Sequence, residues 1–296
     1  MSEGFVSKLL NPKDRLGVMR LHAILTGDLG RQGEKPGRTD YSKELLSPKT
    51  KSGFDYLHVA KADRVSYFDV RPEALPAPHL KLHIEPQSVS AQFLSHKKAK
   101  VLRPMFYLPY EQNGTARMTL SEPDGYNGDE VRFFATATID GCSVYIEGPS
   151  NAPKVTHINA AAISPTTRVD PWDQKQLKIQ AKIADMDARF VQVQRRTGHV
   201  LERPHYMVEE KRELKALKKR FAQTKGIPYQ QIGMYDPFGA VLGFQDGGHW
   251  TFYVQKSAKF DWRRRPEDPP RLMQSSLWVH EVLEIWPNGP NHYRQV

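Results

Sequence analysis

The sequence predicts an α+β fold, a β-sandwich or mixed sheet with two helices packed against it. Three observations carry that prediction. Short runs of β-branched and aromatic residues recur from about residue 54 to residue 163. Two stretches with apolar residues at three- and four-residue steps follow them. Strand-like alternation then returns after residue 240. Strands, then helices, then strands is a segregated order, which distinguishes α+β chains from alternating βαβ ones.

Taken in order, residues 1–25 hold a weak helical pattern, and residues 27–53 read as a linker. The linker has five glycines, two prolines and almost no large apolar residues, a composition that cannot build a core. The domain division that follows is a flexible N-terminal segment and linker over 1–53 and a catalytic α+β domain over 54–296. Runs at 56–60, 80–84 and 101–108 carry strand formers. Pro72, Pro76 and Pro78 mark a loop or a sheet edge, since proline cannot donate to a ladder. Residues 113–129, with three glycines and Pro123, read as loop. Strands are expected over 131–139, 143–146 and 155–163. Asp170-Pro171 opens a helix, whose apolar stripe is Leu177, Ala181, Ala184, Ala188 and Val191. A second helix runs from Glu209 to Ala222, with Leu214, Leu217 and Phe221 inward and lysines and arginines outward; Gly226-Ile227-Pro228 ends it. Residues 240–244 and 250–254 form a hairpin closed by Asp246-Gly247-Gly248, and 276–286 is a further strand.

Composition narrows the function classes. The 296 residues carry a formal charge of +10. A basic surface suits an acidic or phosphate-bearing partner, or simple solubility. Arg263-Arg264-Arg265 and the basic helix would serve the first reading as a non-catalytic binding protein. No nucleic-acid-binding signature is present, so no nucleic-acid partner is expected. No run approaches the length of a membrane span. The N-terminus has no apolar core with a cleavage site, so a classical secretion signal is not expected. The single cysteine excludes an internal disulfide and a cysteine-rich zinc site. His280-Glu281 is followed by glutamate at 284, where a metalloprotease helix needs histidine. No phosphate-cradling glycine motif follows a strand. Neither a metal nor any other cofactor is expected, and a monomer is.

That cysteine, Cys142, stands at the start of a strand after Gly141, and His157 follows inside the next strand. A thiol beside an imidazole is the smallest constellation that attacks an amide carbonyl. The imidazole takes the thiol proton, and a third group fixes the ring. The Gly141-Cys142 turn offers backbone N–H groups to the developing oxyanion. Such chemistry requires the sulfur and a ring nitrogen to come within about 4 Å.

Residues 136–160 resemble the catalytic region of the cytotoxic necrotizing factor family and related bacterial toxin and effector glutamine deamidases. Those enzymes carry a leucine-serine-glycine-cysteine motif at a strand start and a histidine a dozen or more residues on. This chain has Ile139-Asp140-Gly141-Cys142 and His157, with aspartate where the family has serine. The resemblance implies a sandwich with a Cys–His site in a narrow cleft. It implies a hydrolase acting on the carboxamide of a glutamine in a target protein, such as a small GTPase. It further implies a secreted virulence factor delivered into a target-cell cytoplasm without a classical signal. Amine capture of the same intermediate would give transglutamination, and attack on a peptide bond would make it a cysteine protease. For the third member, Thr136 stands six residues before the cysteine, as in the chemoreceptor deamidases. Asn159 is a second candidate for orienting the ring, since it shares a strand face with His157.

Overall fold

The structure, a computed structural model, describes residues 2–26, 46–48, 56–59, 65–74, 77–86, 102–108, 115–122, 128–140, 142–158, 198–201, 203–208, 211–265, 267 and 273–288. Helices α1 (Ser2–Leu10) and α2 (Arg15–Leu21) lead into strand β1 (Ile24–Thr26). There follow β2 (Leu46–Pro48), β3 (Tyr56–Val59), β4 (Val65–Glu73), β5 (His79–Pro86), β6 (Arg103–Leu108), β7 (Thr115–Thr119), β8 (Phe133–Thr136), β9 (Ser143–Glu147) and β10 (Lys154–Ile158). After β11 (Gly198–Leu201) come α3 (Arg203–Tyr206), α4 (Lys211–Lys225) and a 3-10 turn (Tyr229–Gln231). Three long strands, β12 (Ile232–Asp246), β13 (His249–Trp262) and β14 (Gln274–Trp286), complete the order.

The strands form two mixed sheets. One has eight strands in the order β1-β5-β4-β6-β8-β12-β13-β14, and the other six in the order β11-β9-β10-β7-β3-β2. Their facing sides bury one apolar cluster. The larger sheet gives it Val65, Phe106, Phe134, Val241, Phe252 and Val254; the smaller gives it Ala116, Met118, Val144, Ile146 and Val155. The larger sheet buries its other side too, placing Phe68, Leu82, Phe133, Ala135, Leu242 and Phe244 against Val6 and Leu9 of α1 and Val18 and Met19 of α2. The order is therefore small sheet, large sheet, helices. Burial on both faces explains why β8, Phe-Phe-Ala-Thr, shows no polar alternation: all four residues are buried. The α+β expectation holds, with a sandwich of mixed sheets and helices packed on it.

Two expectations are corrected. Residues 2–26 belong to the main body rather than to a flexible tail, because α1 and α2 fill the second core and β1 adds a parallel strand beside β5. β7 lies inside the stretch expected to be loop, where Ala116 and Met118 point into the inter-sheet core. Pro72, expected at a loop or a sheet edge, sits at the end of β4, where β4 pairs with β5 alone and β6 has left the ladder. The helix expected after Asp170-Pro171 lies outside the described residues.

The second expected helix is α4. Leu217, Phe221 and Ala222 face Ile232, Ala258 and Phe260, with the Phe221 and Phe260 rings stacked at 4.2 Å. They cover the part of β12 that projects beyond β8, which pairs with β12 only at 242–244. Gly226 stops the helix at φ +65°, and the Ile227 N–H returns to the Ala222 carbonyl at 3.0 Å, a glycine-capped C-terminus. The expected hairpin is β12–β13, turned through Gly247 and Gly248 at φ +57° and +82°.

Candidate active site

β9 and β10 are antiparallel, with His157 opposite Val144 and Val155 opposite Ile146. Opposed residues of an antiparallel pair point to one face. Val144, Ile146 and Val155 lie in the inter-sheet core, and so does Cys142, two residues before Val144. His157 therefore shares the inward face with Cys142 and stands one diagonal step from it. The ladder's last pair is Ser143 with Ile158, so thiol and imidazole both lie toward that end of the ladder.

Two contacts fix Cys142. Ile139 bridges to Gly239 of β12, its N–H donating to the Gly239 carbonyl at 2.8 Å and its carbonyl accepting the Gly239 N–H at 2.7 Å. The phenol of Tyr206 on α3 donates to the Cys142 carbonyl at 2.8 Å in a buried setting. Space is tight at Gly239: a Cβ there would stand 3.0 Å from Ile139 Cγ1 and 3.2 Å from Tyr206 Cδ2, so those side chains would have to give by a few tenths of an ångström. The segment before the cysteine is thus tied to the large sheet, while its thiol heads the small one.

His157 is fully buried, and among the described residues neither ring nitrogen has a hydrogen-bond partner. Buried polar atoms are bonded in the great majority of cases, and each exception asks for a reason. Desolvation lowers its pKa from 6.5 to about 4, so the ring is neutral through the physiological range. A ring near 4 takes the proton of an ordinary thiol, near 8.5, only against about 6 kcal/mol. The resting imidazole is therefore neutral, and accepting a thiol proton needs the ring better solvated or the thiolate better stabilised.

The structure departs from the expected constellation in three respects. The thiol–imidazole hydrogen bond is not made, because the register sets His157 opposite Val144 rather than opposite Cys142; a diagonal step spans about 7–8 Å. Cys142 is only 3% exposed and packs with apolar neighbours, so it is not presented to solvent at rest. Thr136 does not orient the imidazole: it lies on β8 of the other sheet and donates to the Ala137 carbonyl at 2.8 Å. Gly141 and Asn159, the remaining candidates, lie outside the described residues.

Sequence reasoning missed Tyr206 and Gly239. Tyr206 is 64 positions from its partner, and a lone tyrosine carries no pattern that names a distant carbonyl. Gly239 sits in an apolar run whose only signal is the absence of a side chain. Among the described residues no three His, Cys, Asp or Glu side chains gather to hold a metal ion. His280 lies on strand β14, not on a helix. A cavity of about 270 Å³ is lined by Leu10, Arg103, Pro104, Asp129, Glu130 and Arg132, none of them at the thiol. Comparison with protein-family models and with curated protein sequences finds no match for this chain.

Proposed function

We propose that the protein is a cysteine hydrolase that deamidates a glutamine side chain of a target protein. The observation that carries this reading is the buried imidazole with both nitrogens unbonded, on the same inward face as the sole thiol and one step from it. A structural histidine in that position would be expected to find a partner. A base waiting for a thiol proton keeps one nitrogen open.

In the proposed reaction the Cys142 sulfur attacks the carboxamide carbon and its proton passes to His157. The tetrahedral oxyanion takes the backbone N–H of Cys142 as a donor. The C–N bond breaks and His157 returns the proton to the departing ammonia, leaving a thioester. Water then attacks the thioester carbon, the carbon–sulfur bond breaks, and glutamate and the thiol remain. Tyr206 is a positioning residue that holds the Cys142 carbonyl. The 3% exposure of Cys142 means that the amide enters only when the rim at the end of the β9–β10 ladder opens.

The test compares digests of a candidate target proteome after exposure to the wild-type chain and to Cys142→Ser. Glutamine-to-glutamate conversions confined to the wild-type sample are the expected result. Target cleavage instead would make the protein a protease. Amine incorporation at glutamine would make it a transglutaminase. Conversions that persist with Cys142→Ser would remove Cys142 from the mechanism.

A further inference from the structure

Seven of the fifteen residues of α4 are lysine or arginine, and Glu213 is its one acid. At 100° per residue, Lys211, Arg212, Lys215, Lys218, Lys219 and Lys225 fall within an arc of about 140°. All of these are exposed except the half-buried Lys218, which donates to the Gly233 carbonyl. The adjoining face is committed to the core through Leu217, Phe221 and Ala222. Past the helix end stands Tyr229, which with Leu21 makes up the exposed large apolar side chains among the described residues. The 3-10 turn that carries it is joined to the arginine run: the Arg263 N–H donates to the Gln231 carbonyl at 2.9 Å. Arg264 and Arg265, both exposed, follow at once. The helix face, an aromatic tip and the arginine turn thus border one another.

We propose that this face docks the protein on a bilayer surface rich in anionic phospholipid. The proposal is independent of the chemistry at Cys142. Clustered lysines and arginines are drawn to anionic headgroups, each strengthening the attraction when within a Debye length of the surface. A partly exposed tyrosine beside them suits the headgroup level, where amphipathic rings settle. The apolar side of α4 is occupied, so the helix lies on the surface and does not insert. A strand of nucleic acid would be gripped through a series of aromatic stacking platforms, and this face offers one ring.

The full chain carrying Cys142→Ser, which sets catalysis aside, is sedimented with vesicles of phosphatidylcholine alone or with about one third phosphatidylserine. Binding to the anionic vesicles only is expected, weakened at least tenfold by half-molar salt through screening. The exposed triple substitution Lys211→Glu, Lys215→Glu, Lys219→Glu should lower affinity at least tenfold with an unchanged melting temperature. Tyr229→Ala should weaken it several-fold. Four results would overturn the proposal: equal binding to the neutral vesicles, no vesicle binding, wild-type affinity in the triple variant, or wild-type affinity in Tyr229→Ala. So would tighter binding, through the same lysines, of a single-stranded oligonucleotide at equal salt.

Discussion

His157 carries its own pH signature. Its pKa is about 4 in the folded chain and near 6.5 when solvated. Between those values the unfolded chain binds more protons, so stability is complete above pH 6.5 and falls as pH drops toward 4. The full loss is about 3 kcal/mol. His280, lowered to about 4 by burial with Lys256 adding to it, titrates in the same window. His157→Leu should therefore reduce the acid destabilisation, to which His22, also lowered by burial, and His280 contribute as well, measured by urea denaturation at pH 7.5 and 4.5. It should leave stability at pH 7.5 unchanged or raised, because an unbonded buried ring is replaced by an apolar group of similar size. An unaltered pH slope would mean that the ring is solvated. Tyr206→Phe removes one buried hydroxyl and its bond to the Cys142 carbonyl, at about 1–2 kcal/mol. If Tyr206 positions the thiol, the variant lowers kcat more than it raises KM; a change in stability alone would make the contact purely structural.

Among the elements, the N-terminal helices show most clearly what sequence reasoning overlooks. Gln255 of β13 is fully buried. Its amide nitrogen donates to the Met19 and His22 carbonyls at 2.6 and 2.8 Å, and its oxygen accepts the Ile24 N–H at 2.7 Å. One side chain thus satisfies the end of α2 and the start of β1. Gln255→Leu strands three backbone groups and should cost about 3 kcal/mol or more. Amide exchange should quicken over residues 15–26 first; uniform exchange across the chain would deny those residues a separate anchor. Nothing in residues 1–25 announces this attachment, because its partner lies 231 positions away. The hairpin β12–β13 was legible because Gly247-Gly248 marks its turn locally. β7 was not, because glycines and a proline flank a strand only five residues long. The strands holding Cys142 and His157 were legible, and their register was not. Spacing along the chain likewise put Thr136 near the cysteine, while strand order sent it to the opposite sheet.

For the molecule as a whole, the large sheet is a partition with work on both sides. One face closes the sandwich on Cys142 and His157, and the other seats α1 and α2. The buried Arg15 guanidinium ties those helices to the β12–β13 turn, bonding Asp246 at 2.6 and 2.9 Å and the Leu10 carbonyl at 3.1 Å. It also lies 4.3 Å from the centroid of the Phe244 ring. The fold class was readable because the order of element types survives in the sequence. The layering was not, because it depends on which strands become neighbours across long stretches of chain.

Those distant clasps set the order in which the molecule is completed. Asp246 stands 231 positions from Arg15, and Gln255 stands 231 to 236 positions from the groups it holds near the N-terminus. A ribosome therefore emits α1 and α2 long before Asp246 and Gln255, so neither clasp can close until β12 and β13 have emerged, and closing so wide a loop is slow.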